Sequence, residues 1–172
     1  RVEVQVKYTL TKDNVWRVEY RAVPDRDTPV NMTQHVYFNF KGEAGGTIED
    51  HVMTIAASKV TPTDAGQIPT GEIADVAGTA FDFREGMRIG ERINEPDPQL
   101  EIGKGYDHNW CLGESEGIRK VATLYEPESG RVMEVATDQC GMQFYSGNFF
   151  NGSYAGKYDQ IIGHRCALAL ET

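Results

Sequence analysis

The sequence predicts an all-β fold in which antiparallel sheets pack as a sandwich or a barrel. Several segments alternate apolar and polar residues with a period of two, and no segment sustains the 3.6-residue apolar period of a long helix. Eighteen glycines punctuate the chain, as is typical of many short strands joined by turns. With 172 residues, the chain has the length of one domain, and we expect residues 1–172 to form a single domain.

Two pairs of alternating segments predict β-hairpins. In the first pair, residues 2–10 and 16–22 alternate on either side of a polar turn. In the second pair, residues 121–125 and 131–137 flank a turn that contains Pro and Gly. Shorter segments at 51–56 and 142–145 are also expected to be strands.

Two stretches rich in Gly and Pro separate the predicted strands, at residues 61–71 and 91–104. We expect both to be irregular. Loops of this length in a compact domain usually carry function or cover a large sheet.

The charge balance argues against several classes of partner. The formal net charge is -9, from 26 acidic and 17 basic residues, and no run of Lys or Arg forms a stripe. A nucleic-acid backbone and an anionic membrane surface are therefore not expected as partners. No apolar segment approaches the roughly 20 residues of a membrane-spanning helix.

The cysteine pattern favours a reducing compartment. Cys111, Cys140 and Cys166 are odd in number and do not form a Cys-x-x-Cys pair. We therefore expect free thiols and a cytoplasmic location. Since Arg1 opens directly on a strand pattern without an initiator Met, we also expect the natural N-terminus to lie upstream.

His35 is the first candidate for proton transfer, in the motif Asn31-Met-Thr-Gln-His35-Val-Tyr-Phe-Asn39. In a strand, His35 would share one face with Tyr37 and Asn39, while Phe38 would point to the other. That arrangement favours a wet, concave face over a structural histidine in the core. Histidine can give and take protons near neutrality because its ordinary pKa is about 6.5.

Two further motifs supply groups that suit a sugar. Gly105-Tyr-Asp107-His-Asn109 places a carboxylate, an imidazole and an amide beside aromatic rings, although Asp and Asn also cap turns. Gln143 would lie with Tyr145 on one strand face. Together these groups offer the planar hydrogen-bond partners that a polyhydroxylated neutral ligand needs.

Glu171 follows a short apolar alternation at 167–170. From its position alone, its carboxylate is either a terminal charge or a group held at the rim of a pocket. The four histidines and three cysteines show no metal-binding spacing, and no nucleotide-binding motif is present. We expect neither a metal nor a cofactor.

These motifs, in this order, resemble the aldose 1-epimerases, also called galactose mutarotases. Further matching segments are Asp50-His51, Thr61-Pro-Thr-Asp64, Ile68-Pro-Thr-Gly-Glu-Ile73 and Gly78-Thr-Ala-Phe-Asp-Phe-Arg84. The resemblance runs along nearly the whole chain but covers roughly the C-terminal half of a family member. It implies that the chain forms part of a large antiparallel β-sandwich.

The resemblance also implies roles for single residues. His35 would be the catalytic acid, Glu171 the catalytic base, and Asp107 and Gln143 would bind sugar hydroxyls. The substrate would be a neutral monosaccharide such as galactose or glucose. The upstream half of the family holds an Asn-Arg pair and a second histidine of the pocket. If residues 1–172 were the complete chain, the pocket would be open on one side and we would expect little activity.

Three other functions remain open at this stage. A carbohydrate-binding module would use Asp107 and Gln143 but not His35 or Glu171. A glycosidase would use Asp107 and Glu171 as its pair of carboxyl groups. A phosphosugar epimerase would need a cluster of Arg or Lys near the pocket, which this sequence does not show.

Overall fold

A computed structural model describes residues 1–43 and 45–172. These residues fall into two compact units, Arg1–Gln34 and His35–Thr172. That residues 1–172 form a single domain stays a prediction.

Strands make up most of the regular secondary structure in the described residues, as predicted. The helical segments are α1 (Ile89–Arg92), α2 (Pro98–Gly103) and a 3₁₀-helix (Lys157–Asp159). In chain order the strands are β1 (Val2–Leu10), β2 (Trp16–Pro24), β3 (Tyr37–Phe38), β4 (Val52–Ile55), β5 (Lys59–Thr61), β6 (Ala74–Asp75), β7 (Met87–Arg88), β8 (Asp107–Cys111), β9 (Arg119–Tyr125), β10 (Val132–Thr137), β11 (Gly141–Tyr145), β12 (Tyr154–Ala155), β13 (Ile161–Ile162) and β14 (Leu168–Glu171).

The first unit is the predicted N-terminal hairpin. Strands β1 and β2 pair antiparallel in one unbroken register, from Val2 opposite Pro24 to Leu10 opposite Trp16. The turn places Asn14 at a positive φ of 60°, a conformation that Asn tolerates better than most residues.

The second unit contains two larger antiparallel sheets. One has four strands in the order β10-β9-β4-β7, and the other has six in the order β3-β14-β11-β8-β5-β6. The second predicted hairpin is confirmed as the pair β9 and β10, which carries a register shift between Val135 and Ala136. Strands β12 and β13 form a small separate hairpin.

The inward faces of the two larger sheets share one buried core. Met53 and Leu124 come from the four-stranded sheet, and Trp110 and Phe144 come from the six-stranded sheet. All four side chains are fully buried, and each burial of this kind contributes about 1.5–3 kcal/mol. The indole of Trp110 also donates a hydrogen bond to the carbonyl of Phe81 at 3.1 Å. The all-β sandwich that the sequence predicts is confirmed.

Residues 91–104 are less irregular than we expected, because they contain α2. Asp97 caps this helix by accepting a hydrogen bond from the backbone N–H of Gln99 at 2.8 Å, and Pro98 occupies the first turn. Lys104 ends the helix in the left-handed conformation, with φ at 56°. With six residues, α2 is too short to show an apolar period, so only its capping residues could have predicted it.

Candidate active site

The outward face of the six-stranded sheet carries a row of polar side chains. Glu171 on β14 lies opposite Gln143 on β11, Gln143 lies opposite Asn109 on β8, and Asn109 lies opposite Thr61 on β5. Neighbouring strands are about 4.8 Å apart, so the row extends across four strands without a break. The alternation of β8, β11 and β14 puts Trp110, Phe144 and Leu170 on the core side and leaves this row on the other.

A second row lies beside the first and contains Asp107. In this row Tyr37 lies opposite Ala169, Ala169 opposite Tyr145, and Tyr145 opposite Asp107. Asp107 is thus diagonal to Gln143, within reach of a long side chain. The Nε2 atom of Gln143 donates a hydrogen bond of 2.8 Å to Oδ1 of Asp107. The carboxylate and the amide therefore present one connected polar surface.

His35 lies two residues before the edge strand β3 and contacts β14, the strand that pairs with β3. Its Nε2 atom lies 3.2 Å from Oε1 of Glu171. The side chain of His35 is 45% exposed, while that of Glu171 is 16% exposed. An imidazole open to solvent thus contacts a carboxylate that is largely shielded from it.

Both carboxyl groups of the site have raised pKa values. Burial raises the pKa of Glu171; the positive charge of His35 opposes that rise, and the negative charge of Asp107 adds to it. Burial also raises the pKa of Asp107, against the hydrogen bond from Gln143 and the charge of His35. A carboxylate with a raised pKa is a stronger base than an exposed one.

Aromatic rings border the polar rows on the side of His35. The ring of Tyr37 lies 4.8 Å from the imidazole of His35 and 5.1 Å from the ring of Phe150, measured between centroids. Tyr145 is 6.3 Å from Tyr37, and its hydroxyl accepts a hydrogen bond from the backbone N–H of Phe149. Polar groups beside ring faces suit a ligand that has both hydroxyls and a C–H surface.

A cavity of about 240 Å³ lies next to Asp107 and Gln143. It extends away from Glu171, toward β5 and the loop that follows it. Its lining residues are Thr61, Thr63, Gln67, Pro69, Asp107, His108, Asn109 and Gln143.

A larger and more open groove of about 610 Å³ lies elsewhere on the second unit and contains none of the four predicted site residues. We place the candidate active site at the smaller cavity and the adjoining His35–Glu171 pair. The residues lining the larger groove are Glu49, Asp50, Arg88, Gly90, Glu91 and Asn94.

The structure brings His35, Asp107, Gln143 and Glu171 together on one face of one sheet.

Contrary to the prediction, Asn39 does not share a face with His35 and Tyr37. Its amide donates hydrogen bonds to the carbonyls of Gly46 and Cys166, at 3.0 and 2.8 Å. Because β3 ends at Phe38, the strand alternation that we extended to Asn39 does not apply there.

The sequence did not predict that Thr61 belongs to the polar row, because nothing in it shows that β5 pairs with β8. Helix α2 was also not predicted. The capping pattern of Asp97 and Pro98 was the signal that could have located that helix.

Within residues 1–43 and 45–172, no cluster of three or more His, Cys, Asp or Glu side chains could hold a metal ion. Cys111, Cys140 and Cys166 are free thiols. No helix in this part of the chain is both long enough and apolar enough to span a membrane.

Fold and site together describe an antiparallel β-sandwich whose outer face carries a contact between an imidazole and a carboxylate. The family model for aldose 1-epimerases matches residues 1–172, and the chain belongs to that family. Galactose mutarotase from Homo sapiens is 43% identical over 171 residues, which are 99% of this chain and 48% of that protein. Aldose 1-epimerase from Escherichia coli is 40% identical over 149 residues, which are 86% of this chain and 42% of that protein.

Two solved structures share the fold. Galactose 1-epimerase from Lactobacillus acidophilus superposes with a TM-score of 0.84 at 30% identity, over 99% of this chain and 48% of that one. The aldose epimerase homologue from C. elegans has a TM-score of 0.82 at 24% identity, over 99% of this chain and 50% of that one. The chain thus spans about half the length of the relatives that it matches.

Proposed function

We propose that the full-length protein is an aldose 1-epimerase, a mutarotase that interconverts the α and β anomers of an aldohexose such as galactose or glucose. The observation that carries this proposal is the 3.2 Å contact between His35 and Glu171. Membership of the aldose 1-epimerase family supports it.

Ring opening needs a base and an acid at two neighbouring oxygens. Glu171, ionised, removes the proton of the anomeric hydroxyl, while protonated His35 donates a proton to the ring oxygen as its bond to C1 breaks. The product is the open-chain aldehyde. After rotation about the C1–C2 bond, the same two groups, with their protonation states now exchanged, close the ring on the other face of the carbonyl.

The geometry of the pair suits this chemistry. The anomeric and ring oxygens are bonded to the same carbon, so an acid and a base that lie close together can each reach one of them. The burial that raises the pKa of Glu171 strengthens it as a base. Each well-placed acid or base typically contributes about 10²- to 10⁴-fold to the rate.

Asp107 and Gln143 bind sugar hydroxyls in this proposal. The hydrogen bond between their side chains fixes both groups and leaves the second carboxylate oxygen of Asp107 free of Gln143. The rings of Tyr37 and Tyr145 border this position, where they can pack against a C–H face of the sugar.

Polarimetry tests the proposal. We expect the full-length protein to speed the loss of optical rotation by freshly dissolved α-galactose or α-glucose. Binding of the sugar with interconversion at its spontaneous rate would instead favour a carbohydrate-binding module. Release of a sugar from a glycoside would favour a glycosidase that uses Asp107 and Glu171.

The partner that we propose is a neutral monosaccharide, which agrees with a site that contains carboxylates and with a net charge of -9. Nucleic acid and membrane are not proposed as partners. For the compartment we propose the cytoplasm, because the three cysteines are unpaired. Fractionation of cells that express the full-length protein tests this location.

A further inference from the structure

The sheet opens at one point beside the candidate site. Strands β5 and β8 pair antiparallel from Lys59 opposite Cys111 to Thr61 opposite Asn109. If the same register continued, Thr63 would lie opposite Asp107. The strand β5 ends at Thr61 instead, and the cavity of about 240 Å³ is lined by residues from both sides of the opening.

Two side chains take over the hydrogen bonds at this opening. The amide of Gln99, from α2, bonds the backbone of Thr63 twice: Oε1 accepts from its N–H at 2.8 Å and Nε2 donates to its carbonyl at 2.9 Å. On the other side, the backbone N–H of Asp107 donates to Nδ1 of His108 at 3.1 Å. Gln99 and His108 thus stand where a strand pair would otherwise continue.

These contacts determine which group donates and which accepts in each hydrogen bond that links Thr63 to Asp107 through Gln99 and His108. The N–H and the carbonyl of Thr63 determine which end of the Gln99 amide is oxygen. Since Nδ1 of His108 accepts from Asp107, the ring proton is on Nε2, which donates to Oε1 of Gln99 at 3.2 Å. His108 is 1% exposed, and burial lowers its pKa to about 4, so the ring is neutral at physiological pH.

We propose that Gln99 is a positioning residue for substrate binding, which acts through His108 on the backbone of Asp107. The inference rests on the proposed function, in which Asp107 binds a sugar hydroxyl. Gln99 would fix the position of Asp107 for that contact. Asp97 supports the arrangement, because it accepts from the backbone N–H of Gln99 and so holds the residue at the start of α2.

The test replaces Gln99 in the full-length protein. Gln99→Met keeps the length of the side chain and removes its hydrogen bonds, so we expect KM for galactose to rise about fivefold while kcat stays within about twofold. Ile55→Val, in the core of the other sheet, is the matched control for lost stability and should leave both constants unchanged. A KM no higher than that of the control would overturn the proposal.

A second variant tests whether the effect passes through His108. His108→Asn retains an acceptor near the position of Nδ1 and removes the Nε2–H donor to Gln99. We expect this variant to raise KM as much as Gln99→Met does, and the double variant to raise it no further. If the KM of the double variant instead rises by the product of the two single increases, the residues act independently, and that result would contradict the proposal.

Two measurements separate failure of this inference from failure of the proposed function. If the wild type binds galactose without catalysis, the dissociation constant for galactose is measured in place of KM. Gln99→Met should raise it about fivefold. Long-range ¹H–¹⁵N correlation spectra of the wild type need no activity and should show the Nε2–H tautomer of His108. The Nδ1–H tautomer would overturn the proposal, because that ring could not accept from the backbone of Asp107.

Discussion

The Nε2 atom of His35 lies 3.2 Å from the Oε1 atom of Glu171, although the two residues stand near opposite ends of the unit His35–Thr172. The six-stranded sheet produces this contact, because its edge strand β3 pairs with the C-terminal strand β14. A group that can donate a proton and one that can accept it therefore meet at one point of the surface.

Glu171→Gln should lower kcat for mutarotation about 10²- to 10⁴-fold. The amide keeps the size of the side chain but cannot accept the anomeric proton. Initial rates of optical rotation change measure this loss in the full-length protein. Unaltered activity in a variant that still folds would exclude Glu171 as the base.

Asp107→Asn should act mainly on binding. The amide oxygen can still accept from Gln143, but the charged acceptor for a sugar hydroxyl is lost. Hydrogen bonds to charged groups contribute about 1.5–3 kcal/mol, so KM should rise about 10- to 100-fold, with a smaller change in kcat. Steady-state kinetics with galactose check this. A fall in kcat at constant KM would instead place Asp107 in the chemical step.

The rate should fall in acid as Glu171 becomes protonated. Burial raises its pKa above the ordinary 4.5, and only the ionised form is a base, so activity is present above this raised pKa and is lost as the pH falls through it. Measurements of kcat against pH, with circular dichroism at each pH to confirm folding, test this dependence. A kcat that stays constant down to pH 4.5 in folded protein would contradict it.

Stability should also depend on pH, through His108. Its pKa is about 4 in the fold, against an ordinary value of 6.5, so between these values the unfolded chain binds more protons. The free energy of unfolding should therefore decrease as the pH falls from 6.5 toward 4, by up to about 3 kcal/mol. Urea unfolding of the wild type and of His108→Gln checks this. Equal pH dependence in both proteins would exclude His108 as the cause.

The sequence predicts the parts of this fold that local patterns determine. The hairpins β1–β2 and β9–β10 follow from alternation with a period of two around a polar turn. The family resemblance carried by the motifs around His35, Asp107, Gln143 and Glu171 selected four residues that the structure places together.

Other features depend on contacts between distant segments, and no local pattern contains them. The opening between Thr63 and Asp107 arises because β5 stops pairing with β8, and Gln99 reaches it only because α2 lies nearby. Asn39 binds two carbonyls instead of facing the site, because β3 is two residues long. Strand length and strand pairing are set by packing, which alternation alone does not reveal.

A crystal structure of Glu171→Gln in the full-length protein, with galactose bound, tests the central claim most directly. We predict that the anomeric hydroxyl lies within about 3 Å of the side chain at position 171 and that the ring oxygen lies at a similar distance from Nε2 of His35. A sugar bound with its anomeric carbon away from both side chains would contradict the account.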